Sequence, residues 1–262
     1  MSDTTIIPIP TVQLFRNATL KINYADKTFL LDPMFSDKGM LPSFAGISQN
    51  PTVGLPFAIA TLLQNIDYVV VSHTHPDHFD TVAATMLDPD IPVLIQPDDI
   101  VFFKEQPFKN VKTIMDKVVI DDVTIYRTSG KHGKGKVLEK MGTISGFVFQ
   151  AMGYPTLYIV GDSIWNEEIR QNCTAFNPDY IVVNSGGAVL PPFAEDGPII
   201  MDEEQVITLM EEASEAKVIA VHMEALDHCR TTRNSLRTKA NEKNITRDRL
   251  LIPNDGETIR LQ

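Results

Sequence analysis

The amino-acid sequence predicts an α/β protein with two β-sheets in its core and helices on the outside. Hairpin patterns are followed by alternating strand and helix patterns, and the same order is repeated in the second half of the chain. The most apolar runs are only about four residues long and are followed by polar residues, as is typical of buried strands. Because the 262 residues contain no repeat, low-complexity tract or linker, we expect one domain spanning residues 1–262.

Each half of the chain opens with a hairpin, and strands then alternate with helices. Tight turns are expected at Ala25-Asp26, at Asp121-Asp122 and at residues 153–155, which contain the residue types of hairpin turns. Asp80 is expected to cap the helix that follows it. The predicted strands cover residues 12–24, 27–31, 68–71, 91–96, 118–120, 123–128, 146–152, 156–160, 180–183 and 218–221. The predicted helices cover residues 58–64, 80–87, 98–104, 165–171, 202–215 and 231–240.

Two long segments lack regular patterns. Residues 34–57 (loop 34–57) contain six glycines and prolines, together with more apolar residues than a disordered linker would contain. We interpret this loop as a flap over or beside a functional site, with a plain packing loop as the alternative. Residues 186–198 (loop 186–198) follow a predicted strand and would form the opposite wall of a substrate pocket.

Composition excludes some classes of protein. The formal net charge of −11 argues against a general nucleic-acid binder, although it leaves an anionic small substrate open. Two cysteines are too few for a disulfide framework and suggest a reducing compartment. Residues 1–5 lack the basic start of a signal peptide, and no apolar stretch approaches membrane-spanning length. We therefore expect a soluble cytoplasmic protein that binds neither nucleic acid nor membranes. A homo-oligomer is left open.

The histidine loop (residues 72–78, Ser-His-Thr-His-Pro-Asp-His) directly follows the predicted buried strand of residues 68–71. It holds three of the six histidines in the chain, and imidazole and carboxylate groups are ligands that suit zinc, manganese or iron. His73 and His75 are two residues apart and can point toward the same ion. Asp77 and His78 can reach a second ion beside it. The alternative is a surface loop that happens to be rich in histidine.

Four other polar residues follow predicted strands. His132 lies on a glycine-flanked turn, while Asp32, Asp162 and His222 come at or just after the ends of apolar strands. Open α/β sheets place their functional sites at the carboxyl ends of strands. Taken singly, His132 could be an exposed loop residue, Asp162 a helix cap and His222 a strand-end histidine with an ordinary hydrogen bond.

Together with the histidine loop, this series resembles the pattern of the metallo-β-lactamase-fold hydrolases over nearly the whole chain. The resemblance implies a four-layer αββα sandwich. It also implies that Asp32 orients the histidine loop through hydrogen bonds. The implied ligands of one metal are His73, His75 and His132, and those of the other are Asp77, His78 and His222, with Asp162 bridging both.

Within this superfamily, the chain most resembles the branch of ascorbate-6-phosphate lactonase and the phosphodiesterase-like N-acyl-phosphatidylethanolamine hydrolases. Residues 30–33, 66–68, 177–180, 186–187 and 255–257 carry that resemblance and are less specific than the metal motif. Bacterial β-lactamases usually lack a histidine at the position of His78 and are secreted.

The implied mechanism uses two divalent metal ions, zinc or manganese with iron as a further candidate. Two such ions share a water and lower its pKa toward neutrality. The bound hydroxide would cleave a small ester, lactone or phosphodiester, with Asp162 holding the bridge and Asp77 taking up the released proton. The alternative is a non-catalytic metal-binding or sensor domain that keeps the ligands. Oxygen or electron chemistry is a third class, but the flavin domain that would accompany it is not found in the sequence.

The segment of residues 131–136 carries three lysines around His132 in an otherwise acidic chain. We expect Lys134 or Lys136 to contact an anionic group of the substrate through a charge-assisted hydrogen bond. The alternative is a solvated hairpin tip, where lysine and glycine are common.

Overall fold

Two seven-stranded β-sheets form the centre of the protein in the computed structural model, which describes residues 8–262. Residues 1–7, which include the segment examined for a signal peptide, lie outside the described residues. The strands are β1 (Thr11–Arg16), β2 (Thr19–Tyr24), β3 (Lys27–Leu31), β4 (Tyr68–Val71), β5 (Pro92–Ile95), β6 (Asn110–Thr113), β7 (Lys117–Ile120), β8 (Val123–Ser129), β9 (Ser145–Gln150), β10 (Leu157–Ile159), β11 (Tyr180–Asn184), β12 (Lys217–Val221), β13 (Leu250–Leu251) and β14 (Thr258–Arg260).

The two sheets have the same construction. Their strand orders are β14-β1-β2-β3-β4-β5-β6 and β13-β12-β11-β10-β9-β8-β7. In each sheet, antiparallel hairpins join a set of parallel strands, β3 to β6 in the first and β10 to β13 in the second. The carboxyl ends of each parallel set lie at one edge of its sheet.

The helices, apart from the one at residues 135–141, cover the outer faces of the sheets. They are α1 (Ile59–Leu62), α2 (Thr81–Met86), α3 (Ile100–Phe103), α4 (Gly135–Met141), α5 (Glu167–Phe176), α6 (Glu203–Glu212) and α7 (Arg233–Glu242), with short 3-10 helices at Pro97–Asp99 and Pro191–Asp196. Within residues 8–262, none of the helices has the length and apolar character needed to cross a bilayer.

Alternating side chains along the strands produce the layers. In β9, Phe147 and Phe149 point into the apolar core between the sheets, whereas Val148 points toward α5, α6 and α7. In the first sheet, Val70 lies between the sheets, and Val69 and Val71 pack toward α1, α2 and α3. The order of layers is helix, sheet, sheet, helix, and it confirms the predicted αββα sandwich.

Several predicted boundaries are wrong. Residues 12–24 form two strands, β1 and β2, which are joined by a turn at Asn17 with φ +58°. Both turn residues, Asn17 and Ala18, are buried, and no glycine or proline marks the turn in the sequence. The segment around Lys136, whose alternative interpretation was a hairpin tip, contains α4. Strands β6, β13 and β14 were not predicted, because β13 has only two residues and β6 and β14 are short and partly exposed.

Loop 34–57 is attached to the first sheet by buried polar groups. The guanidinium of Arg16 is fully buried and donates hydrogen bonds to the carbonyl groups of Met34, Ser36 and Val53. Asp80 caps α2 by accepting from the Ala83 N–H, as predicted, and its second oxygen accepts from two N–H groups at the start of the loop. These bonds fix the loop beside the edge at which the strands end.

Candidate metal centre

The ends of five strands converge at one edge of the sandwich. Asp32 directly follows β3, the histidine loop follows β4, and His222 directly follows β12. His132 and Asp162 come three residues after the ends of β8 and β10. The structure brings the seven predicted ligands into two groups whose ligand atoms lie within 4.8 Å of one another: His73, His75 and His132 in one, and Asp77, His78, Asp162 and His222 in the other.

Asp162 lies between the two groups. Its Oδ2 is 3.1 Å from His78 Nε2 in its own group, and 3.4 Å from His132 Nε2 and 4.0 Å from His73 Nε2 in the other. Its Oδ1 is 3.7 Å from His222 Nε2. One carboxylate can therefore contribute an oxygen to each of two ions.

Hydrogen bonds on the far side of the rings determine which nitrogen faces the centre. His132 Nδ1 lies 2.9 Å from the carbonyl oxygen of Ile199, which can only accept, so this nitrogen carries the hydrogen. His78 Nδ1 lies 2.8 Å from Asp32 Oδ2 and donates in the same way. In the neutral form, each ring presents the lone pair of Nε2 to the centre, as metal-binding histidines do.

Asp32 connects the early strand to the histidine loop. Its Oδ1 accepts from the Ser72 N–H at 2.7 Å, and its Oδ2 accepts from the Ser72 hydroxyl at 2.7 Å as well as from His78. The Ser72 oxygen lies 3.0 Å from His73 Nδ1 and can accept from it. Asp32 itself has φ +46°, an unfavourable conformation for a residue other than glycine, and it is held there by a hydrogen bond from Thr19.

Two asparagines that the sequence analysis missed also support the centre. Asn184, at the end of β11, donates to Asp162 Oδ1 at 2.5 Å. Asn17 donates to the carbonyl of Asp77 and accepts from the N–H of His222, both at 3.0 Å. Asn184 had a detectable signal, because it is a polar residue that ends an apolar strand. Asn17 had none, since the turn that contains it was predicted as strand.

Burial and neighbouring charges shift the pKa values of the residues in the centre. Burial lowers the pKa of His132 to about 4 and that of His73 well below its ordinary value. Burial also opposes protonation of His78, but Asp162, Asp77 and Asp32 together raise its pKa to about 10. The pKa of Asp162 lies well below its ordinary value because His78 and His222 outweigh its burial. The buried carboxylates thus remain anionic and attract positive charge into the centre.

The donor set fits divalent metal ions. His222 Nε2 is buried without a hydrogen-bond partner in the described part of the chain, although it lies 3.3 Å from Asp77 Oδ2. His73 Nε2 and His75 Nδ1 face each other at 2.9 Å, where two lone pairs would repel unless a proton or a cation lies between them. Imidazole nitrogens and carboxylate oxygens converging in this way suit zinc, manganese or iron.

A cavity of about 200 Å³ opens above the centre. His75, Asp77, His132, Asp162 and His222 form the polar side of its lining. Loop 34–57 and loop 186–198 both contribute walls, as expected of a flap and its opposite wall. The remaining lining residues are Phe44, Pro76, Met141, Ala188, Leu190, Ile199, Ile200 and His228.

The predicted substrate lysines lie elsewhere. Lys134 immediately precedes α4 and Lys136 lies in its first turn. Both are exposed, and neither is among the residues that line the cavity. The neighbouring wall residue Met141, at the end of α4, does line it.

Comparison with known proteins agrees with this fold. The family described as "Beta-lactamase superfamily domain" matches residues 27–223. The UPF0173 protein YddR of Bacillus subtilis is 36% identical over 249 residues, which are 93% of this chain and 96% of that protein. A Xanthobacter autotrophicus UPF0173 metal-dependent hydrolase is 24% identical over 183 residues, or 66% of this chain and 70% of that protein.

Solved structures give the same result. A Veillonella parvula protein described as a possible metal-dependent hydrolase is 33% identical, with a TM-score of 0.92 over 97% of this chain and 100% of that one. The isothiocyanate hydrolase from Delia radicum gut bacteria is 35% identical, with a TM-score of 0.89 over 95% of this chain and 98% of that one. These relatives do not single out the lactonase-like branch, so that assignment stays a prediction. Given the family match over most of its length and its relatives above 30% identity, the chain belongs to the beta-lactamase superfamily and is a metal-dependent hydrolase.

Proposed function

We propose that this hydrolase uses two metal ions to cleave a small, uncharged substrate that carries an apolar substituent. The observation that supports this most directly is the position of the two ligand groups at the polar side of a cavity whose other walls are apolar. We also propose that residues 1–262 form one domain.

The ligand residues form two groups, one for each proposed ion. His73, His75 and His132 would hold one, and Asp77, His78 and His222 the other, with Asp162 contacting both. When bound, a pair of divalent ions lowers the pKa of a shared water toward neutrality and polarises the group under attack. Seven ligands are too many for a single tetrahedral ion.

The surrounding residues have separate tasks. Asp77 lines the cavity and can accept the proton that is released on attack. Asp162 places a negative carboxylate between the two ligand groups. Asn184 orients this carboxylate by donating a hydrogen bond to it. Phe44, Leu190 and Ile200 keep the bound substrate away from bulk water, which strengthens every electrostatic interaction inside.

The wall favours an uncharged substrate. Of the residues that line the cavity in the described chain, none is a lysine or an arginine, the side chains that usually recognise phosphate or carboxylate. Small lactones and esters satisfy this requirement better than a phosphodiester.

Isothiocyanates are a further candidate class, supported by the 35% identical isothiocyanate hydrolase and by the apolar wall. Addition of one water to R–N=C=S, with cleavage of the C–N bond, gives the amine R–NH₂ and carbonyl sulfide. The carbon under attack is uncharged and electrophilic, like the carbonyl carbon of an ester. The same arrangement of residues therefore suits both substrates.

The prediction for Lys134 and Lys136 is the competing proposal, in which the substrate is anionic. It requires a lysine on the outside of the cavity to reach a charged end of the substrate. Replacing both with methionine should raise KM for an anionic substrate and leave a neutral one unchanged. An unchanged KM for both would show that the lysines do not contact substrate.

A substrate panel tests the proposal. Protein saturated with zinc or with manganese would be assayed against an arylalkyl isothiocyanate, a small lactone, an aryl ester and an aryl phosphodiester. We expect kcat/KM for at least one uncharged class to exceed that for the phosphodiester at least tenfold. Two bound metals without hydrolysis of any compound would support the non-catalytic metal-binding or sensor domain instead. A preference for the phosphodiester would contradict the assigned substrate class.

We also propose a cytoplasmic location without nucleic-acid partners. Cys173 and Cys229 are both free, as expected in a reducing compartment. The net charge of −11 disfavours binding to a polyanion.

A further inference from the structure

His228 is a polar residue of the cavity that the proposed metal ligands do not account for. Every other polar side chain among the described lining residues belongs to one of the two ligand groups. His228 is only 6% exposed, and its Nδ1 has no hydrogen-bond partner within residues 8–262. A buried polar atom without a partner costs free energy, because it has lost its hydrogen bonds to water. Protein atoms enclose Nδ1, so a molecule bound in the cavity would meet the ring at Nε2, the ring nitrogen that is not enclosed.

One contact of its side chain and one of its backbone hold His228 in place. It packs edge to face against Phe44, with ring centroids 5.2 Å apart and planes at 87°. Its carbonyl oxygen accepts from the Val189 N–H at 3.0 Å, which ties it to loop 186–198. The preceding residue, Asp227, accepts hydrogen bonds from several N–H groups of loop 34–57. These contacts fix the position of His228 on the cavity wall, and Phe44 packs against its ring.

A neutral imidazole carries one N–H and one lone pair, and burial lowers the pKa of His228 so that the neutral form prevails at pH 7. The departing group needs a hydrogen-bond donor that the proposed metal ligands do not supply. Apart from those ligands and His228, the cavity is lined by six apolar side chains and Pro76, whose side chains offer no hydrogen bond. His228 is the remaining donor.

We propose that His228 donates a hydrogen bond to the leaving heteroatom of the substrate as its bond to carbon breaks. This assignment rests on the proposed function. In an ester or lactone the C–O bond breaks, the water oxygen joins the acyl carbon, and a water proton goes to the alcohol oxygen. In an isothiocyanate the C–N bond breaks and the water protons go to nitrogen. In both reactions His228 stabilises negative charge that develops on the departing atom.

Two substitutions at this position test the assignment. His228→Phe keeps the aromatic contact with Phe44 and removes both ring nitrogens, whereas His228→Gln keeps an N–H donor. We expect His228→Phe to lower kcat/KM on the order of 10²-fold, as removal of a single transition-state donor does. His228→Gln should recover at least a tenth of the wild-type value. Metal content should stay at the wild-type level, and the Tm of His228→Phe should not fall, because no protein hydrogen bond is lost.

Tyr24→Phe is the matched control, since it removes a buried polar atom that does have protein partners. The Tyr24 hydroxyl donates to the Pro155 carbonyl at 2.8 Å on a strand end away from the metal centre. This variant should lose thermal stability and keep its activity, which is the opposite of the result expected for His228→Phe. Similar losses of Tm in both variants would show that His228 only stabilises the fold.

The leaving group supplies the decisive readout. Within the substrate class that the wild type hydrolyses, the ratio of wild-type to His228→Phe kcat/KM should increase as the leaving group becomes more basic. A ratio that is below threefold or does not change with the leaving group would overturn the assignment and leave the proposed function intact. A metal-loaded wild type that hydrolyses nothing would overturn the proposed function, and the assignment with it.

Discussion

At the level of single residues, the carboxylate of Asp162 lies within 4.0 Å of four histidine side chains. Its position between the ligand groups distinguishes it from the helix cap that was the alternative interpretation. Helix α5 begins at Glu167 and is capped by Asn166, whose side chain accepts from the Glu168 and Ile169 N–H groups. The carboxylate of Asp162 is therefore available to the centre.

Asp162→Asn should reduce kcat/KM by at least 10³-fold while the fold persists, because a neutral amide cannot bridge two cations as an anion does. Steady-state kinetics, metal analysis and circular dichroism would measure the effect. Activity within a few-fold of the wild type would contradict the bridging role.

Asn184 provides a second test of the role of Asp162, with a smaller expected effect. Asn184→Ala removes the donor that lies 2.5 Å from Asp162 Oδ1. Groups that orient metal ligands typically contribute 10- to 100-fold to metal affinity or activity. We expect a loss in that range, measured as the Kd for zinc in competition with a chelator. Asn172→Ala is a control, since Asn172 makes a comparable hydrogen bond, at 3.2 Å, to Tyr158 on the helical side of the second sheet. An equal Kd for zinc in both variants would show that Asn184 does not orient a metal ligand.

Residues that follow apolar strands were predictable one by one, but the backbone that holds them was not. Asp32 and His222 both have positive φ, +46° and +61°, a conformation that is uncommon for residues other than glycine. Their conformations depend on Thr19 and Asn17, which are more than ten and two hundred positions away and donate or accept the bonds that hold them. Local sequence patterns contain no information about such distant partners.

At the level of elements, one carboxylate, that of Asp227, holds the middle of loop 34–57, in addition to the contacts of Arg16 and Asp80 with other parts of the loop. Asp227 accepts from the side chains of Ser43 and Asn50 and from the N–H groups of Phe44, Ala45, Ile47 and Ser48. These bonds hold Phe44 against His228 at the cavity. The sequence suggested a flap from its glycines, prolines and apolar residues, but the residue that anchors it lies about 180 positions later.

Asp227→Asn should lower the free energy of unfolding by about 2 kcal/mol, because an amide presents an NH₂ group to N–H donors that previously had an acceptor. Urea denaturation at pH 7 would measure the change. Asp90→Asn is the control, since Asp90 pairs with Lys109 at an exposed site, where such pairs contribute little. Equal effects of the two substitutions would contradict the anchoring role.

The same carboxylate predicts a pH dependence. Hydrogen bonds from the loop outweigh partial burial and hold the pKa of Asp227 below its ordinary value. A depressed folded-state pKa contributes stability that is complete above the unfolded-state pKa, near 3.9, and is lost as the pH falls toward the folded-state value. The difference between wild type and Asp227→Asn should therefore be constant from pH 6 to 8 and shrink below about pH 4. A difference that grows as the pH falls would contradict this sign.

For the whole molecule, the two-sheet sandwich was predictable because its buried strands are short apolar runs that repeat in the same order. The hairpins at Asp121 and at residues 153–155 were also placed correctly. The edges were not: β14 closes the first sheet by pairing with β1, more than two hundred residues earlier, through backbone hydrogen bonds that leave little pattern in its side chains. Edge pairing of this kind depends on topology, so a local pattern could not show it.

Metal binding should connect the centre to the stability of the whole fold. The ligands come from strands of both sheets, with Asp77 and His78 following β4 in the first, and His132, Asp162 and His222 in the second. Ions bound between them would therefore hold the two sheets together. Each site occupied at a thousand times its Kd adds about 4 kcal/mol to the free energy of unfolding.

We accordingly expect two metal ions per chain in protein saturated with zinc or manganese, and a fall in Tm of at least 10 °C when a chelator removes them. Elemental analysis and thermal unfolding would measure both quantities. His73→Ala removes a ligand from one group only, so its stoichiometry should fall toward one while part of the stabilisation remains. Because Asp162 extends toward both groups, Asp162→Ala should weaken both sites together. One ion or fewer in saturated wild-type protein would contradict the two-metal centre, and an unchanged Tm would show that the sheets hold together without it.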